Sequence, residues 1–394
     1  MTDLNLDYRL FDCDHHYYET RDSFTRHIDP KFRDQAVTQR IFDDGTERVV
    51  VGEAPLVFLG EQDLYDFSGP PGSLKQKLRL MKKGEGDMEY SQVPMAPEWR
   101  DRDERIRVMD AQNVGGCLMF PNISICVEHL MKSPEQLFAN FSSFNRWVEE
   151  EWGFAYRDRI FGVPLLSLAD VDMGLAELER VIKQGARAIG MRCGPAYGRS
   201  PADPYFDQFW DVVNEAGLVV AFHLAESGYP AMVSEQWGED PNPPNFEMSA
   251  WQWAHTYCDR PIMETLSAFI YANFFERFPN IQLASVENGC EWAPYLVKRL
   301  DKMRGMGRGG PWMRGQLKER PSAIFRRHVR VTPFAEDDVA KVVAEIGHEP
   351  IVLGSDWPHP EGLGVPMEFA ELVADLPTEQ QRYILRDGGQ ALVG

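Results

Sequence analysis

The sequence predicts a (β/α)8 barrel, an α/β fold of eight parallel strands ringed by helices, with a long insertion after the first strand. Three observations carry this. Eight short runs rich in Val, Ile, Leu and Phe recur along the chain, and they are near-continuously apolar rather than alternating, as strands covered on both faces are. Stretches with apolar residues at helical spacing separate them. Polar residues able to bind a metal stand repeatedly where such a run ends, the place where a parallel barrel builds its site.

The first strand is read over Tyr8-Arg9-Leu10-Phe11, leading into Asp14-His15-His16-Tyr17-Tyr18-Glu19. Gly115 to Phe120 is the second and Ile160 to Leu168 the third, weakened by Pro164. Ala186 to Arg192 is the fourth and Leu218 to Phe222 the fifth, closed by His223. Ile281 to Val286 is the sixth and delivers Glu287; His328 to Thr332 is the seventh; Ile351 to Ser355 is the eighth and delivers Asp356. Met173 to Ile182 and Tyr205 to Val213 carry helical patterns between strands. An open doubly wound sheet is the competing architecture, but no Gly-x-Gly-x-x-Gly follows the first strand.

One stretch breaks the rhythm. Roughly ninety residues lie between the first two strands, far beyond an ordinary βα connection. A hairpin is expected around Asp43-Asp44-Gly45, a loop over Phe67 to Ser73, and a helix over Arg100 to Gln112. Lys75, Lys77, Arg79, Lys82 and Lys83 form a basic run in an acidic chain. Tyr65, Phe67, Leu74, Leu78, Leu80 and Tyr90 argue against a disordered linker. The expectation is one domain spanning 1–394, with a cap-like insertion at about 20–105 hanging over the mouth of the barrel.

Composition excludes some partners. The 394 residues hold 41 Lys+Arg against 61 Asp+Glu, a formal charge of −20, which repels nucleic acid and anionic membrane. No apolar run approaches the ~18 residues of a transmembrane helix, and the acidic start lacks the features of a signal peptide. The six cysteines form no Cys-x-x-Cys pair and sit largely in apolar runs, as reduced thiols of a cytoplasmic protein do.

The candidate metal ligands are Asp14, His16, Glu19, His223, Glu287, Asp356 and His359. In Asp14-x-His16 two side chains share one face of an extended segment. Taken singly, each has a plain structural explanation: a turn cap for Asp14, a core imidazole for His16 or His223. Their repetition at separate strand ends is what points to a cation, because a buried carboxylate is costly unless paired or metal-bound. Asp356 and Glu287 are candidate catalytic residues. So are Arg192, which would hold a carboxylate or oxyanion unless it only pairs with a mouth carboxylate, and His255, which would line the pocket or pack on the rim.

These residues resemble the amidohydrolase superfamily, in the branch that includes aminocarboxymuconate-semialdehyde decarboxylase and the resorcylate-type decarboxylases. The resemblance rests on Asp14-x-His16-x-x-Glu19, His223, Val286-Glu287-Asn288-Gly289 with Trp292, and Gly354 through Gly362. It implies a metal-dependent barrel with Asp14, His16, His223 and Asp356 as ligands, Asp356 also serving as acid/base. Two departures stand out: Asp14 where many members have histidine, and Glu287 where the decarboxylases usually do. With no lysine at the end of strand four, a carbamylated-lysine bridge is not expected.

The implied activity is hydrolysis or non-oxidative decarboxylation of a small, largely apolar or aromatic molecule, with Zn or Mn if one ion is held. The carboxylate count suggests an alternative, a dinuclear non-haem iron oxygenase that recruits Glu19 and Glu287. Aromatic and Met residues from Trp237 to Trp253 suit either a pocket wall or the interface of a homo-oligomer.

Overall fold

A computed structural model describes residues 6–60, 63–82, 92–257 and 259–394. Lys83, Tyr90 and Cys258 lie outside the described residues. Seven barrel strands run Leu10–His16, Val114–Phe120, Ile160–Gly162, Ala188–Gly190, Val219–His223, Gln282–Val286 and Val329–Val331. They pair in parallel in chain order, first with second and second with third, then fourth through seventh. The two sheets join where Leu165 bridges Gly190. The eighth strand is the segment 351–357, held by hydrogen bonds to both neighbours: Val352 N donates to Val331 O, and Cys13 N donates to Leu353 O. His15 bridges Trp357, which closes the barrel.

Helices fill the connections. Pro134–Glu151 follows strand two, Val171–Lys183 follows strand three and Asp207–Ala216 follows strand four. The third strand is shorter than its apolar run because Pro164 has no N–H for the ladder.

Side chains divide into two buried sets that alternate along the strands. Val219 and Ala221 belong to one, Val220 and Phe222 to the other. The smaller set holds Ala188, Ala221, Ala284 and Val352 from four strands and is plugged by Leu392 and Val393, so it is the barrel interior. Gly354 lets strand eight close. A Cβ there would lie 2.6 Å from Thr332 Cβ and 3.0 Å from Asp14 Cβ.

The insertion contains the expected hairpin, Val37–Ile41 against Glu47–Val51 in antiparallel register. It also holds a helix, Ser73–Lys82. The chain re-enters the barrel through the helix Arg102–Ala111, capped by Asp101. Leu74 N donates to Pro360 O and Gly72 N donates to His359 O, so the insertion is bonded to the loop after strand eight. Gly72 (φ +69) makes the approach possible; a Cβ there would sit 2.6 Å from Gly364 N.

Candidate metal centre

Asp14 and His16 reach the mouth through a break in strand one. Phe11 and Cys13 face the interior. The pairing with strand two shifts register between Asp12 and His15. That irregularity resets the alternation, so Asp14 and His16 point inward while Asp12 and His15 point out. His223 arrives by simple period-two continuation of Val219 and Ala221. Glu287 and Asp356 stand in the left-handed region (φ 56 and 55), uncommon for residues other than glycine and frequent at functional sites. Glu287 N donates to Thr332 Oγ1 and Asp356 N to Asp14 O, which hold these turns in place.

The groups converge closely. Asp14 Oδ1 lies 3.2 Å from His16 Nε2 and 3.4 Å from His223 Nε2. His16 Nε2 is 3.4 Å from Asp356 Oδ1, and His223 Nε2 is 3.6 Å from Glu287 Oε2. His359 Nδ1 is 2.6 Å from Asp356 Oδ1. Among the described residues three ligand groups form: Asp14–His16–His223, His16–Asp356–His359 and Glu287–Asp356–Glu361.

The tautomers decide what this cluster can hold. His16 Nδ1 is 3.0 Å from Pro121 O and His223 Nδ1 is 2.8 Å from Leu224 O. A carbonyl only accepts, so both Nδ1 atoms carry the proton and both Nε2 atoms present lone pairs. Those Nε2 atoms lie 3.1 Å apart, with carboxylate oxygens around them. Lone pairs facing lone pairs repel unless a cation sits between. His359 repeats the arrangement: Nδ1 bonds Asp356, and the buried Nε2 has no hydrogen-bond partner. The residues therefore fit a divalent metal, and the nitrogen and oxygen donors suit Zn, Mn or Fe.

The carboxylates of the cluster titrate in opposite directions: against the effect of burial, His16 and His223 hold Asp14 below its usual range. Burial, then the charges of Asp356, Asp14 and Glu361, push the Glu287 carboxyl well above its usual range. Burial, then Asp14, Glu361 and Asp12, do the same to Asp356. Burial and the neighbouring His359 drive His16 down to about 3, keeping it neutral. A bound cation would reverse the penalty on the carboxylates.

Other expected site residues lie elsewhere. Glu19 does not join any ligand group. Its Oε1 accepts from Ile123 N, Ser124 N and Ser124 Oγ at 2.8–2.9 Å, and its Oε2 accepts from Asn122 N at 3.3 Å. Loop amides take the carboxylate that the sequence offers to a metal. His255 is exposed on the helix Ala250–Thr256, its ring 5.2 Å from Trp251, and is not among the residues lining either cavity beside the cluster. Arg192 lines a small cavity of about 20 Å³ beside His223. There its Nε lies 3.7 Å from Glu128 Oε1 and its Nη1 donates to Ser227 O.

Sequence reading missed Asp12. It is fully buried and accepts from Ser355 N, Ser355 Oγ and Asp14 N, tying strand one to strand eight behind the ligands. The signal was available: an aspartate inside the apolar run Leu10 to Cys13. His15 faces Arg105 (3.1 Å) and stacks on Trp357, outside the cluster.

The pattern of the amidohydrolase family matches residues 11–388. This chain belongs to that family. No curated protein matches it. Among solved structures, an amidohydrolase from Mycobacterium avium subsp. paratuberculosis K-10 is 32% identical over 99% of this chain and 100% of its own, with a TM-score of 0.86. The 5-carboxyvanillate decarboxylase LigW of Sphingomonas paucimobilis is 18% identical over 98% of each chain, TM-score 0.62. A dihydroxybenzoic acid decarboxylase from Polaromonas sp. JS666, solved with manganese and 2-nitroresorcinol, is 14% identical over 98% and 97%, TM-score 0.62. At these lower identities the likeness is one of fold. Among the described residues, no helix is long and apolar enough to cross a membrane.

Proposed function

We propose that this amidohydrolase-family chain is a metal-dependent enzyme that hydrolyses, or decarboxylates without oxidation, a small and largely apolar or aromatic molecule. One observation carries the reading: the Nε2 lone pairs of His16 and His223 face each other at 3.1 Å beside Asp14 Oδ1. Asp14, His16 and His223 would hold the ion, with Asp356 completing the set. A divalent cation there supplies an acidified water and polarises the substrate's carbonyl or carboxylate.

The chain's own groups do the rest. Asp356 keeps Oδ1 on His359 Nδ1, which leaves Oδ2 to take up and return a proton. Arg192 contributes positive charge beside His223, steadied by Glu128. The insertion's Leu74 and Leu78 roof the larger cavity above Asp14, Glu287 and Asp356, acting as a cap that restricts water.

A second reading has its own support. Glu287, Asp356 and Glu361 form a further ligand group that shares Asp356 with the group His16–Asp356–His359. Asp356, Glu287, Glu361 and His359 would add the ligands for a second ion, in place of Glu19, and two irons there would supply the chemistry of a dinuclear iron oxygenase. Elemental analysis of protein purified without added metal separates the two. One zinc or manganese per chain, with turnover lost on chelation and in Asp356→Asn, supports the first. Two irons per chain with substrate-dependent oxygen uptake support the second. Full turnover in metal-stripped protein ends both.

A further inference from the structure

The larger cavity, about 520 Å³, has a floor of Asp14, Glu287 and Asp356 and a roof provided by the helix Ser73–Lys82. Its size lies in the range that encloses a drug-sized ligand. Leu74, Leu78, Phe334, Leu363 and Phe369 give it apolar walls. Leu78 is 50% exposed although it lines the space, which leaves apolar surface for a ligand to cover.

Its charge is unusual. Among the described lining residues, Lys75 is the one cation, set at the rim away from the floor carboxylates of Asp14, Glu287 and Asp356 and with Glu336 and Glu361 also on the lining. It belongs to a helix whose sequence, Ser73 to Lys82, has Lys75, Lys77, Arg79 and Lys82 and no acidic residue, in a chain of formal charge −20. Lys75 Nζ lies 3.6 Å from Glu336 Oε1 across the cavity mouth, and both side chains are more than half exposed (51% and 71%). An ion pair so exposed contributes little to stability. Exchanging Glu336 for a ligand anion therefore costs little, and that anion is held more firmly because the apolar body beside it excludes water.

We propose that this cavity binds an amphipathic acid. Its apolar body lies against Leu74, Leu78, Phe334 and Phe369, and its carboxylate meets Lys75 at the rim. The reacting end points to the floor, the one feature that rests on the metal-centre reading above. The acid group read by Lys75 is thus a recognition handle remote from the chemistry. It selects for substrates longer than a reacting group alone.

The test uses an isosteric pair, 1-naphthaleneacetate and its neutral amide 1-naphthaleneacetamide. Each is titrated by calorimetry into the whole protein as purified and again after chelation. Lys75→Met should weaken the acid about tenfold while leaving the amide within twofold, in both metal states. Lys75→Arg should restore the acid, and Glu336→Gln should tighten it about threefold. A Lys75→Met effect on the acid below twofold would show the carboxylate seated elsewhere and overturn the proposal, as would failure of wild-type protein to bind either probe. The metal reading is scored separately. A Lys75-dependent preference in wild-type protein that holds no metal as purified and takes up none when a divalent metal is added defeats that reading and leaves this one standing. Metal bound without the preference does the reverse.

Discussion

Glu19 and Glu287 each follow a barrel strand toward the mouth, yet they meet opposite surroundings. Glu19 accepts four hydrogen bonds from the 122–124 loop, which offset part of the burial that still holds its carboxyl above the usual range. Glu287 has His223 at 3.6 Å and the carboxylates of Asp356, Asp14 and Glu361 around it. Glu226 lies between these extremes: it accepts from one amide, Gly228 N, and feels Arg192, and burial pushes it up to about 7. A buried carboxylate is thus classified by its donors. One served by several amide and hydroxyl donors is structural, and one surrounded by other acceptors suits a cation.

The largest effect should come from the ligand side of this comparison. His223→Ala or Asp14→Ala should empty the site, measured as metal per chain, and lower turnover by at least about 1000-fold, beyond the ~10–100-fold that losing an outer partner of a metal site costs. Asp356→Asn should keep at least one ion while turnover falls by about 10²–10⁴, the span of general acid–base catalysis. Parallel loss of metal would instead make Asp356 chiefly a ligand.

The comparison itself is tested by the matched pair Glu19→Gln and Glu287→Gln. The first turns an NH2 toward amide donors and should cost about 1–3 kcal/mol in denaturant unfolding, with metal per folded chain unchanged. The second should weaken metal retention and leave the stripped protein no less stable than wild type. Equal metal loss in both variants would break the distinction.

Glu226→Gln should produce a pH-dependent gain. The folded-state value, about 7, lies above the ordinary 4.5. Between these values the folded state holds a proton that the unfolded state has released, so Glu226 costs stability increasingly as pH rises through that window. The Gln variant should therefore match wild type near pH 4 and exceed it above pH 7, read from unfolding midpoints. His255→Ala, on the exposed helix, should change kcat/KM by less than about twofold and Tm very little, as surface substitutions usually do.

Much of the site was legible in the sequence. His223 could be located because strand periodicity carries Val219, Ala221 and His223 to one face, and Asp356 because an acid after Ile351 to Leu353 has few reasons to be there. Asp14 and His16 were paired for the right spacing, but what points them inward is the register break beside them, which no residue pattern announces. Glu19 was offered to the metal because its partners, Asn122 to Ser124, are about a hundred positions away and bond mainly through backbone amides, which carry no sequence signature. His255 sits in an aromatic segment that looks like a pocket wall from sequence, and its helix faces solvent.

The sequence by itself determined the order of strands and helices, the hairpin in the insertion and the membership of the cluster's core. The first two follow from local periodicity and turn chemistry, and the core of Asp14, His16, His223 and Asp356 from the family resemblance. Only the tertiary structure decided which carboxylates meet amides and which meet each other, which imidazole nitrogens face inward, and that the insertion helix brings Lys75 to the rim of the cavity at the barrel mouth. Those outcomes depend on distances between segments far apart in the chain, and such distances are set by barrel closure and packing, not by any neighbouring residue.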